Sequence, residues 1–190
     1  MAKDVTEIRW HARGGQGAKT AATLVAAVVL EDGRYGQGFP DYGPERMGAP
    51  IRGYTRISSK PIRQHSAVYH PDVVVVLDPT LLDSVDVCEG LAPDGAVLIN
   101  TAASPAEVRR KLGLQGGRIY TIDASQIALD EIGRNIPNTP MMGALARVVP
   151  DLKLDTILND VRKKFGPKGE RVVEGNVRAI RRAYEEVKSE

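Results

Sequence analysis

Arg13-Gly14-Gly15-Gln16-Gly17 is the segment whose residue types speak first for chemistry. Glycines at such density let backbone amides approach an anion closely, and a helix starting just after them adds a partial positive charge. The spacing matches neither G-x-G-x-x-G nor G-x-x-x-x-G-K-[ST], and Lys19 comes two residues after the last glycine, Gly17, instead of directly after it. On spacing alone, an anion site and a purely structural tight turn are equally good readings. A second segment, Asp41-Tyr42-Gly43-Pro44-Glu45-Arg46-Met47-Gly48-Ala49-Pro50, sets Glu45 and Arg46 among rigid turn residues. Stiff polar loops commonly carry function, and the alternative is a surface turn with a local Glu45–Arg46 ion pair. Asp78 follows an apolar run and precedes Pro79. At the carboxyl edge of a sheet it would face a ligand; it is equally suited to capping a helix.

Other reactive residue types offer less. His11, His65 and His70 have no metal-ligand spacing and read as partly exposed structural histidines. Cys88 is the single cysteine, so neither a disulfide framework nor a zinc site or cluster can be built from this chain's own thiolates. Asp86 and Glu89 beside it would raise its thiol pKa, which argues against a nucleophile. Arg178, Arg181 and Arg182 read as the solvated face of a last helix.

These residues need elements to position them. Ile8 and Trp10 alternate with Glu7, Arg9 and His11, predicting a first strand. After the glycines comes an alanine-rich helix over 18–30 that Gly33 would close. Residues 36–50 read as a loop, and 51–58 as a half-exposed strand with Arg52, Tyr54 and Arg56 on one face. Val73-Val74-Val75-Val76-Leu77 has the continuous β-branched pattern of a central parallel strand. Further strands are predicted at 96–99 and 119–122, with a capping box at Ser104-Pro105-Ala106-Glu107 between them. After Ile132 the strands stop. Thr139-Pro140 reads as an N-cap and first-turn proline of a helix reaching Val149, and two amphipathic helices follow, with apolar faces over 154–165 and 173–187. Strand, glycine turn and helix open a doubly wound α/β fold: a Rossmann-like single domain, its mostly parallel sheet flanked by helices, with a helical C-terminal section.

The 190 residues are 42% hydrophobic and 26% charged, the composition of one globular domain and not of a disordered chain. A net charge of +2 is too balanced for a dedicated nucleic-acid binder. The charge is uneven, with a net +4 over 1–65, −5 over 66–130 and +3 over 131–190. The basic first third holds the glycine loop and would attract an anionic ligand or an acidic partner. The start lacks a signal peptide's pattern, and the longest apolar run, over 21–30, falls short of the roughly 20 residues a membrane span needs. A soluble, cytoplasmic protein without a membrane partner is expected.

Three segments together carry a resemblance. Ile8-Arg9-Trp10-His11-Ala12-Arg13-Gly14-Gly15-Gln16-Gly17-Ala18, Phe39-Pro40 with the Asp41 segment quoted above, and Pro71-Asp72-Val73-Val74-Val75-Val76-Leu77-Asp78-Pro79 resemble the gamma subunit of pyruvate:ferredoxin oxidoreductase and its 2-oxoacid relatives. Asn138-Thr139-Pro140-Met141-Met142-Gly143-Ala144 is similar to a fourth block of that family. Ala12 stands where a glycine is usual, and Met47 where a second arginine is usual. The resemblance implies one gamma-type domain over 1–190. It belongs to a complex that decarboxylates a 2-oxoacid on thiamine diphosphate and Mg, passes electrons through [4Fe–4S] clusters to ferredoxin, and forms an acyl-CoA. It implies alpha, beta and delta partner subunits, with the cofactors held by those chains and none by this one, which would be inactive alone. It further implies that Arg13, Gly14, Gly15, Gln16, Gly17, Glu45 and Arg46 face coenzyme A or a subunit interface. The substrate is pyruvate or another 2-oxoacid (branched-chain, aryl or 2-oxoglutarate). The reading from another class is an independent nucleotide-binding protein.

Overall fold

The computed structural model describes residues 4–41 and 48–190. Along the chain it places β1 (Val5–Arg13), α1 (Ala18–Glu31), β2 (Tyr35–Asp41), β3 (Pro50–Ser58), β4 (Val73–Val76), β5 (Ala96–Asn100), α2 (Pro105–Leu112), β6 (Arg118–Ile122), α3 (Ala124–Ile132), α4 (Asn138–Val148), α5 (Leu154–Phe165), α6 (Glu170–Glu186) and β7 (Lys188–Ser189). The strands form one mixed sheet in the order β2-β3-β1-β4-β5-β6-β7. Neighbours β1, β4, β5 and β6 are parallel. β3 runs antiparallel to β1, β2 to β3, and β7 to β6. From β1 the chain crosses to the edge strand β2, comes back to β3 beside β1, and then passes to β4 on the other side of β1, so the direction of building changes between β1 and β4. In open α/β sheets that reversal leaves a crevice at the carboxyl ends of the two strands.

The β4 valines are buried on both faces, as their continuous β-branched run predicts. On one face α1, α3, α4, α5 and α6 share a core with Trp10, Val75 and Leu98. On the other, Leu81, Val87 and the α2 residue Val108 cover Val74, Val97, Ile99 and Ile119. Trp10 is wholly buried, and its indole N–H donates to Thr55 Oγ1 at 3.0 Å, whose hydroxyl donates onward to the Ala22 carbonyl at 2.9 Å. This chain of bonds locks β1, β3 and α1 together without leaving a buried polar group unpaired. The capping box forms as read, with Ser104 and Glu107 bonded reciprocally at the start of α2.

Several elements differ from the sequence reading. Residues 35–41 are a strand, not a loop. Gly36 and Gly38 are there because β2 lies directly on α1: an added Cβ would stand 2.0 Å from the Ala26 carbonyl oxygen and 2.4 Å from that of Ala22. β3 is buried from Gly53 to Ser58 rather than half-exposed. Arg56 is completely buried, with its Nε donating to Glu7 at 2.9 Å, one terminal nitrogen to Gln37 at 3.1 Å and the other to the Ser66 carbonyl at 2.8 Å. A charged side chain can lie under cover when every donor finds an acceptor. α4 starts at Asn138, so Thr139 and Pro140 sit inside its first turn, where a missing proline N–H costs nothing. It ends at Val148, and α6 at Glu186, one residue short of the predicted apolar face. Strands do not stop after Ile132, since β7 adds two residues to the edge of β6.

Candidate functional site

The crevice between β1 and β4 is lined by the glycine loop. Arg13 is the last residue of β1, and its backbone N–H donates to Gln16 Oε1 at 2.8 Å. Gln16 Nε2 donates in turn to Asp78 Oδ2 at 2.6 Å, so the glutamine is gripped at both ends of its amide. The Arg13 guanidinium donates twice to Thr80 Oγ1, at 3.1 and 2.9 Å, and once to the Gly48 carbonyl at 3.2 Å. Its Nε lies 3.5 Å from Asp78 Oδ2, and the side chain keeps 33% of its surface exposed, enough to meet a further anion. Asp78 Oδ1 accepts from the backbone N–H of Thr80 at 2.9 Å and its hydroxyl at 2.7 Å. Both readings of Asp78 therefore meet in one residue, which caps the 3-10 turn Pro79–Asp83 and stands at the carboxyl edge. Burial alone would push its carboxyl up. The bonds from Thr80 and Gln16 and the charge of Arg13 outweigh that and hold it below its ordinary value.

The described end of the second segment, Gly48 and Ala49, meets the glycine turn here. Gly14 N–H donates to the Ala49 carbonyl at 2.9 Å, and Gly48 N–H to the Gly14 carbonyl at 3.3 Å. Glu45 and Arg46 lie outside the described residues. Gly17 caps α1 in the left-handed region, at φ 84°, and offers no side chain to the first helical amides. Those amides have no carbonyl a turn below them, which suits them to an anionic group. A Cβ on Gly17 would stand 2.6 Å from Asn138 Nδ2. Gly17→Ala should therefore cost about 1–2 kcal/mol from the backbone alone. The chemical-denaturation midpoint checks this, and an unchanged midpoint counts against the left-handed geometry.

Sequence reasoning passed over Thr80 and Asn100. Asn100 ends β5, and its Nδ2 donates to the Leu77 carbonyl at 2.8 Å and to Ser125 Oγ at 2.9 Å. It braces the carboxyl ends of two strands and the start of α3. The available signal was positional: Asn100, like Asp78, is the polar residue that breaks an apolar strand run.

This arrangement fixes a fold and a polar network at the carboxyl edge of the sheet, and many families share both. The profile of the pyruvate ferredoxin/flavodoxin oxidoreductase family matches residues 7–186. The chain belongs to that family. It is 52% identical over 189 residues to pyruvate synthase subunit PorC of Thermotoga maritima, covering 99% of this chain and 97% of that one. It is 46% identical over 180 residues to the pyruvate/ketoisovalerate oxidoreductases common subunit gamma of Pyrococcus furiosus, covering 94% and 95%. The crystal structure of pyruvate oxidoreductase subunit PORC from Thermotoga maritima superposes with a TM-score of 0.87 at 49% identity, covering 98% and 99%.

In this family member the histidine reading needs correction. His11 is buried, not partly exposed. Its Nε2 accepts from Arg9 Nε at 3.1 Å, and Arg9, equally buried, donates to the carbonyls of Val87, at 3.0 Å, and Glu89. Burial, with the charges of Arg9 and Arg52, pushes the His11 pKa down to about 3, so the ring is neutral and acts as an acceptor. Burial first and Asp86 second push the Cys88 thiol up to about 11, the direction read from its neighbours. Arg178 and Arg181 are exposed as predicted while Arg182 is half-buried, and two of the three are paired: Arg178 with Glu131 at 2.8 Å, Arg182 with Asp130 at 2.7 Å. Among the described residues no three His, Cys, Asp or Glu side chains gather to hold a metal ion, and no helix is long and apolar enough to cross a membrane.

Proposed function

We propose that this chain is the gamma subunit of a multi-subunit 2-oxoacid:ferredoxin oxidoreductase that converts pyruvate, coenzyme A and oxidised ferredoxin to acetyl-CoA, carbon dioxide and reduced ferredoxin. Its relatives named as pyruvate synthase and pyruvate/ketoisovalerate oxidoreductase subunits support the reaction class. The alpha, beta and delta chains of the complex are its partners, and the whole chain, 1–190, is one gamma-type domain working in the cytoplasm. When bound by those chains, thiamine diphosphate with Mg supplies the decarboxylation chemistry and [4Fe–4S] clusters carry the electrons to ferredoxin.

This chain's own task is to hold coenzyme A. The observation that carries it is the Arg13–Gln16–Asp78–Thr80 network, which fixes a partly exposed guanidinium on the turn that leads into the uncapped amides of α1. A phosphate there would meet a two-point donor and a helix's positive end together. Gly14, Gly15 and Gly17 keep the backbone clear for it, and Glu45 and Arg46 remain candidates in the adjoining loop. Asp78 gives no proton to the reaction: its low pKa keeps it a carboxylate that orients Gln16 and Arg13.

A second substrate reading has its own support, because the Pyrococcus furiosus relative is named as common to pyruvate and ketoisovalerate enzymes. Co-expression with the partner chains, followed by ferredoxin reduction assays on a panel of 2-oxoacids with and without coenzyme A, tests both. Pyruvate as the fastest substrate is the expected result, and a branched-chain preference moves the assignment to the second reading. A complex equally active without this chain overturns the proposal, as does turnover by this chain alone.

A further inference from the structure

Beside Asn138, on the helical side of the molecule, a groove of about 790 Å³ opens between the end of α3, the start of α4 and the first turns of α6. Its apolar lining comes from Ile132, Ile136, Phe165 and Val172. Ile136 and Val172 are 39% and 36% exposed, which is unusual for aliphatic side chains gathered in one depression. The charges around them do not cancel. The groove's acids are already committed, Glu131 to Arg178 and Asp130 to Arg182. Arg134 and Arg171, also in the lining, have no carboxylate partner among the described residues. Lys168 Nζ sits 4.9 Å from the centre of the Phe165 ring. The amino end of α6 adds its partial positive charge to the same side, with Glu170, outside the lining, as the acid of that first turn. The groove is apolar in the middle, cationic at the rim, and short of anions.

We propose that this groove is the docking site for an acidic segment of another protein chain. That segment's aliphatic side chains pack between Ile136 and Val172, and its carboxylates reach Arg134 and Arg171. The lining argues for a peptide over a nucleotide. Phe165, its aromatic ring, already carries Lys168 and packs partly buried against the core, so a base would have to displace that cation to stack, whereas branched aliphatics suit aliphatic anchors. An apolar centre ringed by arginine is also the ordinary anatomy of a protein interface. The inference rests on reading this chain as a subunit, which supplies the partner: another chain of the same complex. Because Thr20 and Asn138 also line the groove, the docked segment would lie next to the glycine loop.

The test uses the co-expressed complex. Arg134→Glu with Arg171→Glu, and separately Val172→Asp, should each weaken retention of this chain at least about tenfold, read as its dissociation constant from the remaining subunits. Thermal unfolding of the free variant chains should match that of the unmodified chain, since all three side chains are exposed to solvent. A photo-crosslinker at position 136 should map to an acid-rich segment of a partner. Variants retained as tightly as the unmodified chain overturn the docking site while leaving the subunit reading intact. So does a crosslink to a segment without acids, or binding of ADP that is lost in the double variant. Failure of the unmodified chain to join the complex overturns both.

Discussion

Arg13→Ala in the assembled complex raises KM for coenzyme A by roughly tenfold to hundredfold and leaves coenzyme-independent decarboxylation of the 2-oxoacid nearly unchanged. The magnitude follows from what a guanidinium gives to a phosphate. A charge-assisted hydrogen bond is worth about 1.5–3 kcal/mol, and each 1.4 kcal/mol is about tenfold in affinity. Position makes that gain available, because Thr80, the Gly48 carbonyl and Asp78 already hold the side chain, leaving less rotamer freedom to lose on binding. Arg13→Lys should recover only part of the loss, since a point charge cannot reproduce the planar fork. Steady-state kinetics with varied coenzyme A measure the effect, and gel filtration separates the competing cause. If the variant releases this subunit, Arg13 serves an interface. If the complex stays whole with unchanged KM, the ligand assignment fails.

How much of this was legible before the structure depends on whether the signal was local. The Ser104–Glu107 box and the β4 valines are local statements, one about cap bonds and one about burial on both faces, and both appear as read. The start of the site was legible for the same reason, since a glycine-dense turn between strand and helix announces itself. The segment over 35–41 was misread because glycine has two uses with one appearance. It permits unusual turns, and it permits close approach, and only the position of α1 against β2 decides between them. Arg56 and His11, the latter beside buried Arg9, were misplaced by a related ambiguity. Alternation of charged with apolar residues normally marks one wet face. Here that face is closed by the carbonyls of Ser66 and Val87, which lie 10 and 78 residues away in the chain. α3 escaped notice although Asp123 caps it and Gly133 ends it, because nine residues hold too few apolar repeats to stand out. The place of Asn100 at the end of an apolar run could mark it, but not what it braces, since its partners Leu77 and Ser125 lie 23 and 25 residues away in the chain.

Burial of His11 carries an expected result of its own: the folded chain loses stability steeply in mild acid, and this one ring accounts for about 3 kcal/mol of the loss by pH 4.5. In the unfolded chain a histidine takes up its proton near pH 6.5, whereas in the fold burial and the neighbouring arginines push that event down to about 3. Between those values the unfolded state binds one proton more than the folded state, so stability falls as pH falls. At pH 4.5, two pH units below the unfolded value, the difference is about 3 kcal/mol, a large share of the roughly 5–15 kcal/mol a domain possesses. The geometry gives the physical reason. His11 Nε2 accepts the Arg9 Nε–H, so a proton placed there would delete an acceptor and set a second cation against a buried guanidinium. Asp78 adds its own acid sensitivity only at lower pH: its carboxyl is held below the ordinary value, so its contribution is complete above about pH 4 and fades as pH drops through the depressed one. His11→Gln separates the two, because the glutamine oxygen can accept from Arg9 and does not titrate. Urea unfolding at pH 7.5 and 4.5 should show the unmodified chain losing about 3 kcal/mol more than the variant, whatever the variant costs in packing at neutral pH. Parallel losses in the two proteins would mean that His11 is protonated within the fold, and the neutral acceptor beside Arg9 would have to be abandoned.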